Sequence, residues 1–360
     1  MSQPLSPSFT CSYSPNVPEL LQQLNCTLAL STFQAGKVIL LSAIDANKLV
    51  QLPRSFARPM GLATDAHRLA IATAAEVIVL ANAPEMAPNY PPKPGVYDGL
   101  YLPRTVYYTG QVDLHDMAFG RDGLLTVNTR FSCLARMSHD YSFEPLWQPS
   151  FISELGPEDR CHLNGVAMHQ GVPCYVSALG QTDSPEGWRE GKEQGGVLIN
   201  VASREIIAAE LPMPHSPRLY DGKLYALLSA TGELVQVDVD TGRYEVVNQL
   251  NGFVRGMARH SDYLFIGLSK LRSNSSSFAD LPIAKQALFC GIVILHLPSG
   301  NIVGQIRYEN SVDELYDIKV LPGLRRPNVL SHTKEEHRTA LITPQKNYWL
   351  RQSEENTSKF

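Results

Sequence analysis

Hydrophobic and polar positions alternate along this chain in short runs separated by Gly and Asp turns. Residues 223–229, 233–239 and 243–250 are the clearest case, bounded by Asp221-Gly222, Thr231-Gly232 and Thr241-Gly242. A period of two is the alternation of a half-buried strand, and such dipeptides close hairpins. With the strand opened by Ser216-Pro217-Arg218-Leu219, the pattern predicts four antiparallel strands in roughly 36 residues, the size of one propeller blade. Helical spacing is confined to the stretch around residues 18–24.

The opening of this unit recurs. Arg58-Pro59-Met60-Gly61, His115-Asp116-Met117-Ala118, Asn164-Gly165-Val166-Ala167, Arg255-Gly256-Met257-Ala258 and Tyr316-Asp317-Ile318-Lys319 join it as six copies. In five of them an apolar strand starts about eight residues after the aligned Gly, Asp or Pro, at Leu69, Leu124, Cys174, Leu224 and Leu264. The sixth copy leads into a Pro- and Arg-rich tail with no further strand pattern. Residues 26–33, 37–43 and 48–52 have the opposite deficiency, three strands without an opening repeat. One C-terminal and three N-terminal strands complete a blade and leave no sheet edge open. The expected fold is therefore all-β, a six-bladed β-propeller over residues 26–325. An N-terminal extension covers 1–25 and a polar C-terminal tail covers 326–360.

Composition narrows the class. The chain of 360 residues is 44% hydrophobic and 18% charged, with a net charge of −4. That is ordinary for a globular protein, and no basic excess points to nucleic acid. No run of 18 apolar residues appears, so no membrane span is expected, and the first residues lack a basic region followed by an apolar stretch. Six cysteines show no CxxC spacing. Free thiols and a cytoplasmic location are the expectation.

A propeller brings the loop entering each inner strand and the loop leaving each second strand to one face. The repeat register therefore names the mouth. Met60, His115, Asn164, Ser216, Arg255 and Tyr316 share one position, and Arg58, Asp113, His162, Pro214, Phe253 and Glu314 stand two residues earlier. The exits of the second strands add Thr73, Asn128, Ser177, Ser229 and Leu268, with Arg130, Asp183, Lys270 and Arg272 just beyond. Such groups also serve simply to bond neighbouring blades. As a set they point to a ligand or catalytic site. His115, His162 and His215, with Asp116, are the candidate acid/base groups. Arg58, Asn128, Arg130, Asn164, Arg218, Arg255 and Lys270 are candidate contacts to an anionic small molecule or peptide, because guanidinium forks fit carboxylate and phosphate. Trp188, on the long Gly-rich loop 180–196, joins them; this loop and 269–289 are candidate covers for the mouth. The alternative use of the same histidines, with Glu314, is to ligate a divalent metal ion. No glycine-rich nucleotide loop is present, so no nucleotide cofactor is expected. Arg160 and His162 flank Cys161 and could activate its thiol, although a Cys in such a turn is more often a packed small hydrophobe. Oligomeric state is not legible.

Several of these strings belong together. His115-Asp116-Met117-Ala118, residues 128–133, residues 158–165, residues 214–218 and residues 253–258 resemble a family of uncharacterised, conserved bacterial proteins from cyanobacteria and proteobacteria, over about residues 20–325. The resemblance implies a bacterial source and no particular reaction. More loosely, the six-blade plan is similar to gluconolactonase-like and strictosidine-synthase-like propellers. These imply a ligand or metal at the axis, but their acidic ligands have no counterparts here. The resulting expectation is an enzyme with an axial His/Arg site, of isomerase, lyase or hydrolase type. The alternative is a non-catalytic propeller that binds a partner protein or peptide on the same face.

Overall fold

The computed structural model of the chain describes residues 8–271 and 278–350. Six antiparallel sheets radiate from one axis as the blades of a propeller. The inner strands of blades 1 to 6 are Leu62–Thr64, Leu114–Gly120, Leu163–His169, Pro214–Tyr220, Phe253–His260 and Asp317–Pro322. Each touches the next in order, and the sixth touches the first, so the ring is closed. Blade 6 is the shared one. Asp317–Pro322 pairs antiparallel with Cys26–Thr32, which pairs in turn with Lys37–Asp45 and then Lys48–Ser55. The core lies between blades, where one face of each strand meets the next sheet. Leu28, Leu30, Ile39 and Leu41 of blade 6 pack with Phe265, Ile292 and Ile306 of blade 5, all fully buried. The helix Val17–Gln23 caps this cluster with Val17, Leu20 and Leu21.

The chain ends carry more structure than the pattern predicted. Cys11–Tyr13 adds an antiparallel fifth strand to blade 5, against Asn301–Tyr308. Pro327–Val329 adds a parallel fifth strand to blade 1, and Ala340–Ile342 pairs with Asn347–Trp349. The absence of strands after the sixth opening is thus corrected. Strands of three residues are too short to show an alternation; two of these four lie on an existing sheet edge and the other two form a hairpin packed beside Tyr90. All six cysteines are free thiols. Among the described residues no helix is long and apolar enough to cross a membrane.

Around the axis the inner strands share an irregularity. In blades 2 to 5 one extra residue interrupts the pairing at the aligned position. His115 is skipped between Leu114 and Asp116, Asn164 between Leu163 and Gly165, and the pairs Ser216-Pro217 and Arg255-Gly256 each face a single partner residue. Blade 1 does the same, for Ala72 bonds both Met60 and Gly61 through its backbone. These are β-bulges, which twist a strand and re-aim side chains.

The next residue in each blade forms the throat of the ring: Gly61, Asp116, Gly165, Pro217, Gly256 and Asp317, alternating glycine with a larger residue. The larger residue occupies the space the glycine leaves. A Cβ on Gly165 would lie 2.4 Å from Cδ of Pro217, and one on Gly256 would lie 2.9 Å from Cα of Asp317. Asp116 accepts the Val166 N–H at 3.1 Å and Asp317 accepts the Leu62 N–H at 2.9 Å, tying blade 2 to 3 and blade 6 to 1. Across the axis Asp116 pairs with Arg218 at 2.7 Å and with Lys319 at 3.7 Å, and Lys319 pairs with Asp317 at 3.0 Å. Burial alone would raise the Asp116 carboxyl, but Arg218 and then Lys319 outweigh it and hold it below the usual range. Asp317 is raised by burial, opposed by Lys319 and reinforced by the charge of Asp116. Blades 2, 4 and 6 are therefore joined through one buried ionic cluster.

Candidate functional site

At the mouth end of the axis lies a cavity of about 630 Å³, within the range of small-molecule sites. Every blade sends a side chain to it: Met60, His115, His162, His215, Arg255 and Tyr316, in blade order. Local backbone geometry sets these groups. Arg58, Asp113 and His162 occupy one register position, and all three have left-handed backbone, φ 50°, 53° and 52°. Met213, two residues before His215, has φ 55°. Non-glycine residues in this region cost about 1–3 kcal/mol each and persist where surroundings enforce them, commonly around functional sites.

The left-handed residues fix the histidines. His115 Nδ1 lies 2.9 Å from the carbonyl of Asp113, and His215 Nδ1 lies 2.9 Å from the carbonyl of Met213. A carbonyl only accepts, so in each ring Nδ1 carries the proton and Nε2 the lone pair. Ser229 Oγ donates to the Val254 carbonyl at 2.6 Å and lies 2.8 Å from His215 Nδ1, where it is a second acceptor. Burial pushes His115 well below the ordinary histidine value, aided by His162 and Arg255. Burial does the same to His215, aided by Arg255. Both imidazoles are neutral at neutral pH.

His162 differs. Its Nδ1 lies 3.0 and 2.8 Å from the two carboxylate oxygens of Asp159, and the Trp188 indole N–H donates to the same carboxylate at 3.1 Å. Trp188 is 2% exposed and its ring centroid lies 4.3 Å from that of His162. The carboxylate is thereby held from two sides, and its bond to Nδ1 leaves Nε2 as the reactive nitrogen.

The cations sort into paired and unpaired. Asp113 joins Arg130 at 2.9 Å and Arg58 at 3.7 Å. Arg189 pairs with Glu186, and Lys270 with Asp313. Arg255 instead stacks on the Tyr316 ring, with its guanidinium carbon 3.5 Å from the centroid, and no carboxylate or carbonyl among the described residues accepts from it.

Of the sequence-expected residues, the cavity brings together Arg58, His115, Arg130, His162, Trp188, His215, Arg255, Lys270 and Glu314. It does not include Asp116, Asn128, Asn164 or Arg218, whose side chains are engaged elsewhere in the ring. Asp116, in the throat, and Arg218 belong to the ionic cluster, which lines a separate cavity of about 290 Å³. Asn164 spans to blade 4, donating to the Pro214 carbonyl at 3.0 Å and accepting from Ser177 at 2.6 Å. Asn128 is fully buried and accepts the Phe131 N–H. Ser216 accepts the Gly256 N–H at 3.1 Å. His162 and His215 stand at the mouth in place of Asn164 and Ser216. Arg160 is engaged by Glu154, Glu158 and Asp183. Cys161 is fully buried, and burial pushes its thiol up to about 12, so it is no thiolate nucleophile. Arg272 lies outside the described residues. For the metal reading, no group of three or more His, Cys, Asp or Glu side chains among the described residues is placed to hold an ion. The sequence reading missed Phe33, which lines the cavity and carries the Arg58 guanidinium 4.7 Å above its ring. Phe33 follows the second strand of blade 6, so it is the sixth strand exit, displaced to the N-terminal part of the chain.

Comparison with known proteins agrees with the architecture. The profile of a domain of unknown function, DUF4915, matches residues 15–330. No curated protein matches the sequence. Among solved structures, a chain of a nidogen–laminin complex is 11% identical with a TM-score of 0.52, over 83% of this chain and 99% of that one. A protein of unknown function from Bacteroides caccae is 12% identical with a TM-score of 0.50, over 82% and 98%. At these identities the likeness is one of fold.

Proposed function

The chain belongs to this DUF4915 family, whose description names no reaction, and from that premise we propose that the axial cavity is an active site that transfers protons on an anionic small molecule. The observation that carries the reading is the Asp159–His162 pair, braced by Trp188, in the same cavity as the Arg255 guanidinium, which no carboxylate among the described residues pairs. A base whose distal nitrogen is held by a carboxylate, beside a fixed cation, is the arrangement that proton abstraction next to a carboxylate requires.

Arg255 takes the ligand's anionic group. His162 Nε2 accepts a proton from the bound molecule and returns it to a neighbouring atom or to a leaving group, while Asp159 stabilises the imidazolium formed between the two steps. His115 and His215, neutral and bearing lone pairs at Nε2, accept hydrogen bonds from ligand hydroxyl or amino groups. Isomerisation, elimination and hydrolysis all fit this assignment.

The test is solvent-hydrogen exchange. The protein is incubated in D₂O with a panel of small carboxylates and phosphate esters, and deuterium entering the ligand is followed by NMR. Catalysed exchange is expected for at least one, falling about 100-fold or more in His162→Gln while calorimetric affinity stays within about threefold. A His162→Gln variant that exchanges at the wild-type rate removes the catalytic role. Anion binding in the wild type with no exchange for any ligand would instead favour a binding module.

A further inference from the structure

The rings of the cavity form a continuous wall. Trp188, His162, His115, Tyr316 and Phe33 follow one another with centroid separations of 4.3, 4.8, 5.4 and 5.9 Å. All five line the cavity. Phe253 lines it as well, 5.8 Å from His215. Two cations are already stacked on this wall, Arg255 on Tyr316 and Arg58 on Phe33. Among the described residues that line the cavity, Arg130 Nε and one hydroxyl of the wall are buried without a hydrogen-bond partner. The hydroxyl is that of Tyr316. Tyr316 is 3% exposed, and burial pushes its phenol well above the ordinary value, so it remains a donor. Buried donors in native proteins have acceptors, and an orphan on a side chain that lines a ligand cavity points to an acceptor supplied by the ligand.

We infer that the ligand of this site is an aryl carboxylate, its carboxylate bound by Arg255 and the Tyr316 hydroxyl and its flat body lying along the ring wall. The inference rests on the reading of the cavity as an anion site and adds the chemical class of the ligand. The wall carboxylates do not oppose it. Asp113 is shared by Arg58 and Arg130, Asp159 is held by His162 and Trp188, Glu158 and Glu186 are paired with Arg160 and Arg189, and Glu314 is engaged as well. Arg255 thus brings a guanidinium that no carboxylate among the described residues shares, and an anionic ligand group is drawn to it. The successive rings meet at 38°, 87°, 69° and 24°, so the wall offers both faces and edges, and either favours a planar, polarisable body over a saturated one.

Calorimetry with 2-naphthoate, benzoate, cyclohexanecarboxylate, succinate and inorganic phosphate tests this directly. 2-Naphthoate is expected to bind, and benzoate to bind about tenfold tighter than cyclohexanecarboxylate. Arg255→Gln should weaken 2-naphthoate about tenfold or more. Tyr316→Phe should weaken it about three- to tenfold, while the ligand-free variant melts at or above the wild-type temperature because an orphan hydroxyl has been removed. Tyr316→Phe that melts lower and binds 2-naphthoate unchanged would make the hydroxyl structural and overturn the proposal. So would equal affinity for benzoate and cyclohexanecarboxylate. Binding of succinate or phosphate that depends on Arg255, without binding of either aryl carboxylate, overturns the ligand class and leaves the anion site standing. Failure of every anion to bind overturns both.

Discussion

Two neutral histidines, the buried His215 and the half-buried His115, make the protein's stability depend on pH in a defined direction, and His215 isolates the effect. Its folded-state value is depressed, by burial first and then by Arg255. The unfolded chain therefore takes up the proton first as pH falls, so the contribution to stability is complete above the ordinary value of 6.5 and is lost as pH drops below it. For a group that titrates near 6.5 when unfolded and stays neutral when folded, the loss between pH 7.5 and 5.5 is about 1.4 kcal/mol. His215 is 3% exposed, so solvent screening takes little from this figure. The perturbation is His215→Asn, whose amide nitrogen can replace Nδ1 as donor to the Met213 carbonyl but cannot titrate. Urea unfolding at pH 7.5, 6.5 and 5.5 gives the difference between wild type and variant, in which the carboxylates common to both cancel. The wild type should lose about 1.4 kcal/mol more than His215→Asn over this range, and adding His115→Asn should roughly double the difference. Parallel pH curves for wild type and both variants would refute the neutral-histidine assignment.

Three further outcomes follow from the ring. Arg218→Met leaves Asp116 buried with Lys319 at 3.7 Å as its remaining cation, and the loss, read from the urea midpoint, should be about 3–5 kcal/mol. Adding Asp116→Asn should recover part of it. Gly256→Ala should destabilise by about 2 kcal/mol or more, since its Cβ would meet Asp317 backbone at 2.9 Å. Gly222 has nearly the same φ, 77° against 76°, but open space around it, so Gly222→Ala should cost only about 1 kcal/mol. Iodoacetamide at pH 8 should leave Cys161 unlabelled in the folded protein and label it after unfolding, as mass spectrometry of peptides would show; rapid native labelling would contradict its burial.

The fold was readable because a blade is a local object. Its strands lie close in sequence, their alternation has a period of two, and their hairpins use Gly turns, so the unit around Lys223–Leu228 could be parsed without any long-range contact. Blade 6 was legible for a different reason, since its two parts are each incomplete in a complementary way. The site was legible only to the register. Alignment placed Asn164 and Ser216 beside His115 because it counts residues, whereas in the fold these two side chains bond Pro214 and Gly256 of the next blade and leave the cavity to His162 and His215. Nothing in the residue pattern marks a bulge in advance. His215, one position out of register, stands beside the bulge, while Asp116 lies in the throat itself and Arg218 reaches it from the far side, pairing there instead of facing the mouth.

That throat also has a consequence for traffic. The cavity above it and the cavity below it share no lining residue, and the cluster of Asp116, Arg218, Lys319 and Asp317 stands between them. A propeller with an open axis is a tube, and this one is a cup. Whatever enters at the mouth must leave by the same opening, so a product bars the next substrate until it departs. Under the proposed reaction, release by the mouth, rather than passage through the molecule, sets the upper limit on turnover.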